Sequence, residues 1–137
     1  MATLVLDASV FLSWLFPDEE NEWSKQLVFN LGEEDRVVVP AHWLVEIANA
    51  LLVGSRRKRI KTEQIAAFLG QLAIIPVEIE SALSLEDAER VAALGAKHSL
   101  SAYDAAYLDL ALRKNVALGT LDGALRNASM TEKVRLL

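Results

Sequence analysis

Short, almost wholly apolar runs recur along this chain, and helical spacing follows nearly every one of them. Thr3–Leu6 and Arg36–Val39 are the clearest, and residues 116–118 repeat the pattern. A weaker run at 73–78 is interrupted by Pro76, and another closes the chain at 134–136. A strand that is apolar on both sides must be covered on both faces. Strands that alternate with helices pair in parallel through right-handed crossovers. The pattern therefore predicts a three-layer α/β/α sandwich in one domain, residues 1–137. Its central sheet is mainly parallel, with about five strands.

The expected helices span 9–16, 19–33, 41–58, 62–72, 84–98, 101–114 and 123–128. Pro17 stops the first, and the second ends near Gly32. Thr62 is the expected N-cap of the fourth. Ser84 caps the fifth, with Asp87 at the capping-box position, and Ser101 and Asp104 stand in the same relation. The first helix carries Val10, Phe11, Leu12, Trp14, Leu15 and Phe16, apolar nearly all round. Such a helix is either deeply buried or covered by another subunit.

At 137 residues the chain is long enough for a full core. Its hydrophobic fraction of 53% fits a two-faced sheet or an apolar surface that needs a partner. With no cysteine, disulfides, zinc thiolates and cysteine nucleophiles are excluded. No apolar run approaches the ~18 residues of a membrane span, and no basic segment precedes the first apolar run. The expectation is a cytoplasmic protein with no membrane role. A net charge of −5 does not favour nucleic acid, whose affinity comes mainly from Lys and Arg on phosphates. Positive charge is nevertheless concentrated at Arg56, Arg57, Lys58, Arg59 and Lys61. That cluster is either a helix C-terminus suited to cations or a contact for a phosphate backbone.

Four acids stand out by position: Asp7, Glu46, Asp104 and Asp122. Asp7 and Asp122 each follow an apolar run, at the strand ends where parallel sheets bind ligands. Each also suits an N-cap or a turn. Ser9 lies two residues after Asp7, where a haloacid-dehalogenase-type phosphatase needs a second Asp. Thr120 adds a hydroxyl near Asp122. Glu46 borders a helix face made of Trp43, Leu44, Ile47, Ala48 and Leu51, with His42 and Asn49 as surface neighbours. It reads as a boundary residue or as a ligand, with His42 a supporting group. Asp104 falls within the stripe of Tyr107, Leu108, Ala111 and Leu112. An unpaired carboxylate buried there costs several kcal/mol, unless it reaches back to cap its helix. Asp109 lies off that stripe with Arg113 four residues on, and reads as a solvated ion pair. If the four acids converge, their charges raise one another's pKa values, and a divalent cation is the simplest compensation.

Four segments carry a family resemblance. They are Leu4-Val5-Leu6-Asp7-Ala8-Ser9, Glu46-Ile47-Ala48-Asn49-Ala50-Leu51 after Pro40, Leu100-Ser101-Ala102-Tyr103-Asp104-Ala105-Ala106-Tyr107-Leu108, and Leu118-Gly119-Thr120-Leu121-Asp122. In this order and spacing the chain resembles a PIN domain, and specifically a VapC-type toxin ribonuclease. The resemblance implies a metal-dependent endoribonuclease, paired with a small antitoxin and forming a homodimer. Asp7, Glu46, Asp104 and Asp122 would hold one or two Mg2+ or Mn2+ ions, hard cations suited to oxygen ligands. Ser9, Asn49 and Thr120 would support them, and Arg56, Arg57, Lys58, Arg59 and Lys61 would contact RNA. Water would be the nucleophile, leaving 5′-phosphate and 3′-hydroxyl ends. Two other readings stay open: a PIN-like module that only binds, and an aspartate-based phosphatase or phosphotransfer domain.

Overall fold

The computed structural model describes residues 2–19 and 21–137. Four parallel strands form one sheet: β1 (Thr3–Leu6), β2 (Arg36–Val39), β3 (Val77–Ile79) and β4 (Ala117–Gly119). Seven α-helices flank it among the described residues: α1 (Ala8–Leu15), α2 (Glu22–Phe29), α3 (Trp43–Arg56), α4 (Glu63–Leu72), α5 (Leu85–His98), α6 (Ala102–Lys114) and α7 (Gly123–Thr131). This is the expected α/β sandwich. The run at 134–136 makes a single parallel bridge, Leu118 to Leu136, along the outer edge of β4. Leu118 N–H donates to Arg135 O at 2.9 Å, and Leu137 N–H to Leu118 O at 3.1 Å. The edge strand is thus partly covered without a full fifth strand.

The strand order is β3-β2-β1-β4. From β1 the chain steps outward to β2 and β3, then returns to lay β4 on the other side of β1. The direction of travel reverses between β1 and β4. In open parallel sheets that reversal leaves a crevice at the carboxyl ends of the two strands. Asp7 follows β1 immediately, and Thr120 follows β4.

The central strands are apolar because both faces are covered. Val5, Leu6, Val37, Val39 and Leu118 have no exposed surface. Gly119 pairs in register with Leu6. A Cβ on Gly119 would lie 2.7 Å from Leu6 Cδ2, so β4 can approach β1 this closely only with glycine there.

Helix α1 is buried within the protein itself. Ala8, Val10, Phe11, Ser13 and Leu15 are all inside, and Phe11 packs edge-on against Trp43 of α3. Leu12 and Trp14 pack against the same core and are only partly buried.

Local boundaries differ from expectation for identifiable reasons. Pro17–Glu19 forms a 3-10 turn, and α2 begins only after Asn21, whose side chain accepts from Ser24 N–H. Glu20, inside the expected second helix, lies outside the described residues. Strand β3 starts after Pro76, which has no N–H to donate to the sheet ladder. Thr62 makes no capping bond, because its hydroxyl pairs with Ser55 Oγ at 2.8 Å. Ser84 and Asp87 do close a reciprocal capping box. At α6 only half of the box forms: Ser101 Oγ accepts from Asp104 N–H, and the Asp104 carboxylate does not return a bond to the Ser101 backbone.

Candidate metal centre at the ends of β1 and β4

Asp7 is the best-buried of the four acids, with 4% of its surface exposed. It does cap α1, accepting the Ser9 N–H at 3.1 Å. That duty occupies only part of the carboxylate. The Ser9 hydroxyl also donates to Oδ1, and the Thr120 hydroxyl donates to Oδ2 at 2.6 Å. Both hydroxyls in turn accept from the loop after β4, Ser9 from Leu121 N–H and Thr120 from Asp122 N–H, each at 3.0 Å. Asp7 N–H donates to Gly119 O at 3.1 Å. The two strand ends are thus tied together around one carboxylate.

Burial pushes the Asp7 carboxyl up from 3.8 to about 6, despite the lowering effect of the Ser9 and Thr120 hydroxyls. The charges of Asp104 and Glu46 raise it further. Asp104 is half-buried and also raised, first by burial and then by Asp122 and Glu46. The four acids therefore share one electrostatic neighbourhood, in which Asp104 and Glu46 act on Asp7, and Asp122 and Glu46 act on Asp104. Asp104 is less enclosed than its place in an apolar stripe suggests, because it sits in the first turn of α6, where the helix begins to emerge.

Asp122 caps α7 through Oδ2, which accepts from Leu125 N–H at 2.8 Å. Its capping role and its closeness to Asp104 hold together. Glu46 is fixed by a residue that sequence reasoning placed only in the core. The Tyr107 hydroxyl, on a side chain with no exposed surface, donates to Glu46 Oε1 at 2.7 Å. A buried tyrosine needs a partner for its hydroxyl, and Tyr107 sits one turn beyond Asp104. That pairing of facts was the available signal. His42 Nε2 lies 3.2 Å from the same oxygen, off the hydrogen-bonding direction. Asn49 makes no bond to Glu46 and lines the neighbouring cleft instead.

The donor set suits a hard divalent cation: oxygen only, anionic, and partly desolvated. Among the described residues no three His, Asp or Glu side chains are already placed to ligate one ion together. Mg2+ commonly uses one or two protein carboxylates and keeps its remaining waters. Direct ligation by two of these acids, with the others bonding to water, is compatible with that spread.

Two expectations change. Asp109 is not a solvated ion pair. Only 2% of it is exposed, and it is held by Arg90, through Nε to Oδ1, and by Arg113 Nε to Oδ2 at 2.9 Å. Helix α5 covers the face of α6 that looked free, and it supplies Arg90. In the basic cluster, Arg59 is already engaged. It makes a two-pronged pair with Asp18 at 2.9 and 2.8 Å and stacks over Phe16. Arg56, Arg57, Lys58 and Lys61 are exposed. Arg56 lies ten residues beyond Glu46 on α3, or about 15 Å along the axis.

The PIN domain family model matches residues 4–129. This chain is a PIN domain. Among curated proteins, Ribonuclease VapC3 of Pyrobaculum aerophilum is 31% identical over 123 residues, 87% of this chain and 88% of that protein. Among solved structures, VapBC2 from Rickettsia felis, bound to a promoter DNA fragment, superposes with a TM-score of 0.69 at 14% identity. That match covers 98% of this chain and 97% of the other. FitAcB from Neisseria gonorrhoeae gives 0.66 at 14% identity, over 98% and 96%. The PIN fold accounts for the strand order, and the first curated relative spans nearly the same length. No α-helix among the described residues is long and apolar enough to cross a membrane.

Proposed function

We propose that this PIN domain is a divalent-metal-dependent endoribonuclease, the toxin of a toxin–antitoxin pair, acting in the cytoplasm. The observation that carries the reading is Asp7, a nearly buried carboxylate at the sheet's switch point, raised by burial and by two further acids. An arrangement of that kind opposes stability and calls for a compensating cation.

Asp7, Glu46, Asp104 and Asp122 are assigned to hold Mg2+ or Mn2+. When bound, such an ion polarises a phosphoryl oxygen and lowers the pKa of its water. Ser9 and Thr120 fix both oxygens of Asp7. Tyr107 fixes one oxygen of Glu46, and the other would be left for the ion or its water. Arg56, Arg57, Lys58 and Lys61 supply backbone contacts for RNA at the far end of α3. Because water is the nucleophile, no ribose 2′-hydroxyl takes part, and the products carry 5′-phosphate and 3′-hydroxyl ends. Similarity to a ribonuclease of the VapC type supports RNA as substrate and a small antitoxin as partner. A homodimer is part of the same proposal.

A phosphotransfer role for Asp7 is disfavoured by its geometry. Both oxygens are bonded, and too little of the carboxylate is exposed for in-line attack on a phosphoryl group. The test is cleavage of single-stranded RNA with end mapping. Activity should require Mg2+ or Mn2+, stop in EDTA, and vanish in Asp7→Asn and Asp104→Asn. Full activity in EDTA, or in both variants, would overturn the proposal.

A further inference from the structure

Beside the carboxylates lies a cleft of about 320 Å3, lined by His42, Val45, Glu46, Asn49 and Tyr103. Its size is at the small end of the range for ligand-holding clefts. Tyr103 immediately precedes Asp104 and is 63% exposed. An exposed aromatic ring is ordinarily loose, and this one is braced. The His42 ring lies 5.5 Å from Tyr103 at a tilt of 59°. On its other side, His42 meets the buried ring of Tyr107 edge-on at 5.4 Å. The three rings form a ladder from the core to the surface, with Tyr103 as its outermost rung. A ring already held in place loses little freedom when another flat ring stacks on it.

The remaining lining narrows the chemistry of the occupant. Val45 is 72% exposed and offers an aliphatic wall. Asn49 presents an amide that both donates and accepts, the pair of functions that matches the edge of a base. Glu46 closes the cleft towards the other acids and repels an anion. A flat, uncharged ring with a polar edge fits this lining, because the Tyr103 ring and Val45 offer apolar faces and the Asn49 amide stands beside them.

We propose that this cleft takes one unpaired nucleobase of a single-stranded substrate, stacked on Tyr103, with the adjoining phosphate directed to the carboxylates. This rests on the nuclease reading and adds to it a base subsite. A base inside a duplex has no free face to offer Tyr103.

The test is binding of a short fluorescein-labelled oligoadenylate to the full chain, in Ca2+ to suppress turnover. The same labelled strand with abasic sugars is the comparison. Wild type should prefer the base-bearing strand. Tyr103→Ala should bind that strand about 5- to 150-fold more weakly and leave the abasic strand unchanged, and Tyr103→Phe should restore binding. A melting curve unchanged in Tyr103→Ala checks the fold of this exposed position. Equal affinity of wild type and Tyr103→Ala for oligoadenylate would overturn the subsite alone, as would equal weakening on both strands. Failure of wild type to bind either strand would overturn the nuclease reading with it.

Discussion

Tyr107 on α6 donates a 2.7 Å hydrogen bond to Glu46 on α3, joining residues 61 apart in sequence. The phenol is wholly buried, and burial followed by the Glu46 bond drives its pKa upward, so it remains a donor throughout the working range. One bond thus sets the rotamer of a proposed metal ligand. Tyr107→Phe removes only the oxygen. It should cost about 1.5–3 kcal/mol of stability, the range for a hydrogen bond to a charged group, and should weaken Mn2+ uptake. In a Glu46→Gln background the stability cost should shrink to that of a neutral bond. Urea unfolding of the four proteins in this cycle measures the coupling; equal costs in both backgrounds would contradict the role assigned to Tyr107.

The raised Asp7 pKa fixes the sign of a pH effect. The folded chain holds the Asp7 proton until about pH 6, whereas the unfolded chain releases it near 3.8. The Asp7 contribution is therefore complete below about pH 4 and is lost as pH rises through 6, by roughly 3 kcal/mol at most. Metal-free protein in EDTA should be more stable near pH 5 than near pH 7, and Asp7→Asn should flatten that difference. Asp7→Asn should also be more stable than wild type at neutral pH, by about 1–2 kcal/mol, since it removes a buried charge. Gaining stability while losing cleavage is the behaviour of a residue kept for function.

Much of this was legible in the sequence, and the limits have local causes. The apolar runs of β1 and β2 identified a two-faced parallel sheet, and the acids after β1 and β4 fell at its ligand-binding edge. Period-based reading failed where a residue's environment comes from a distant element. Asp109 looked solvated because nothing near it in sequence foretells that Arg90 of α5 will cover it. Tyr107 looked like core because an apolar stripe does not say which of its members carries a hydroxyl to a partner. Glu46 does lie at the boundary of its helix face, half-buried, and only its partner on another helix was hidden.

Asp109 is consequently a structural residue. Asp109→Asn breaks a buried pair with Arg90 and Arg113 and should cost about 3 kcal/mol, the lower end for such a loss because both arginines reach solvent. Below its melting temperature the variant should still cleave. Thermal denaturation beside a cleavage assay separates the two effects.

Gly119→Ala probes the closeness of β1 and β4. The added methyl would stand 2.7 Å from Leu6 Cδ2 and 3.4 Å from Leu27 Cδ2 and Leu137 Cδ1. Overpacking of this kind costs about 1–3 kcal/mol. Because Gly119 O receives the Asp7 N–H, the displacement should also weaken Mn2+ uptake more than an equally destabilising change at buried Leu72 of α4, a helix that carries none of the four acids.

The central claim is that four carboxylates at one sheet edge jointly bind a divalent ion. Calorimetric titration of Mn2+ into metal-free protein at neutral pH tests it without reference to any RNA. Saturable uptake is expected in wild type, and affinity at least about tenfold lower in Asp7→Asn and in Asp104→Asn. No uptake by wild type, or the same affinity in all three proteins, would contradict it.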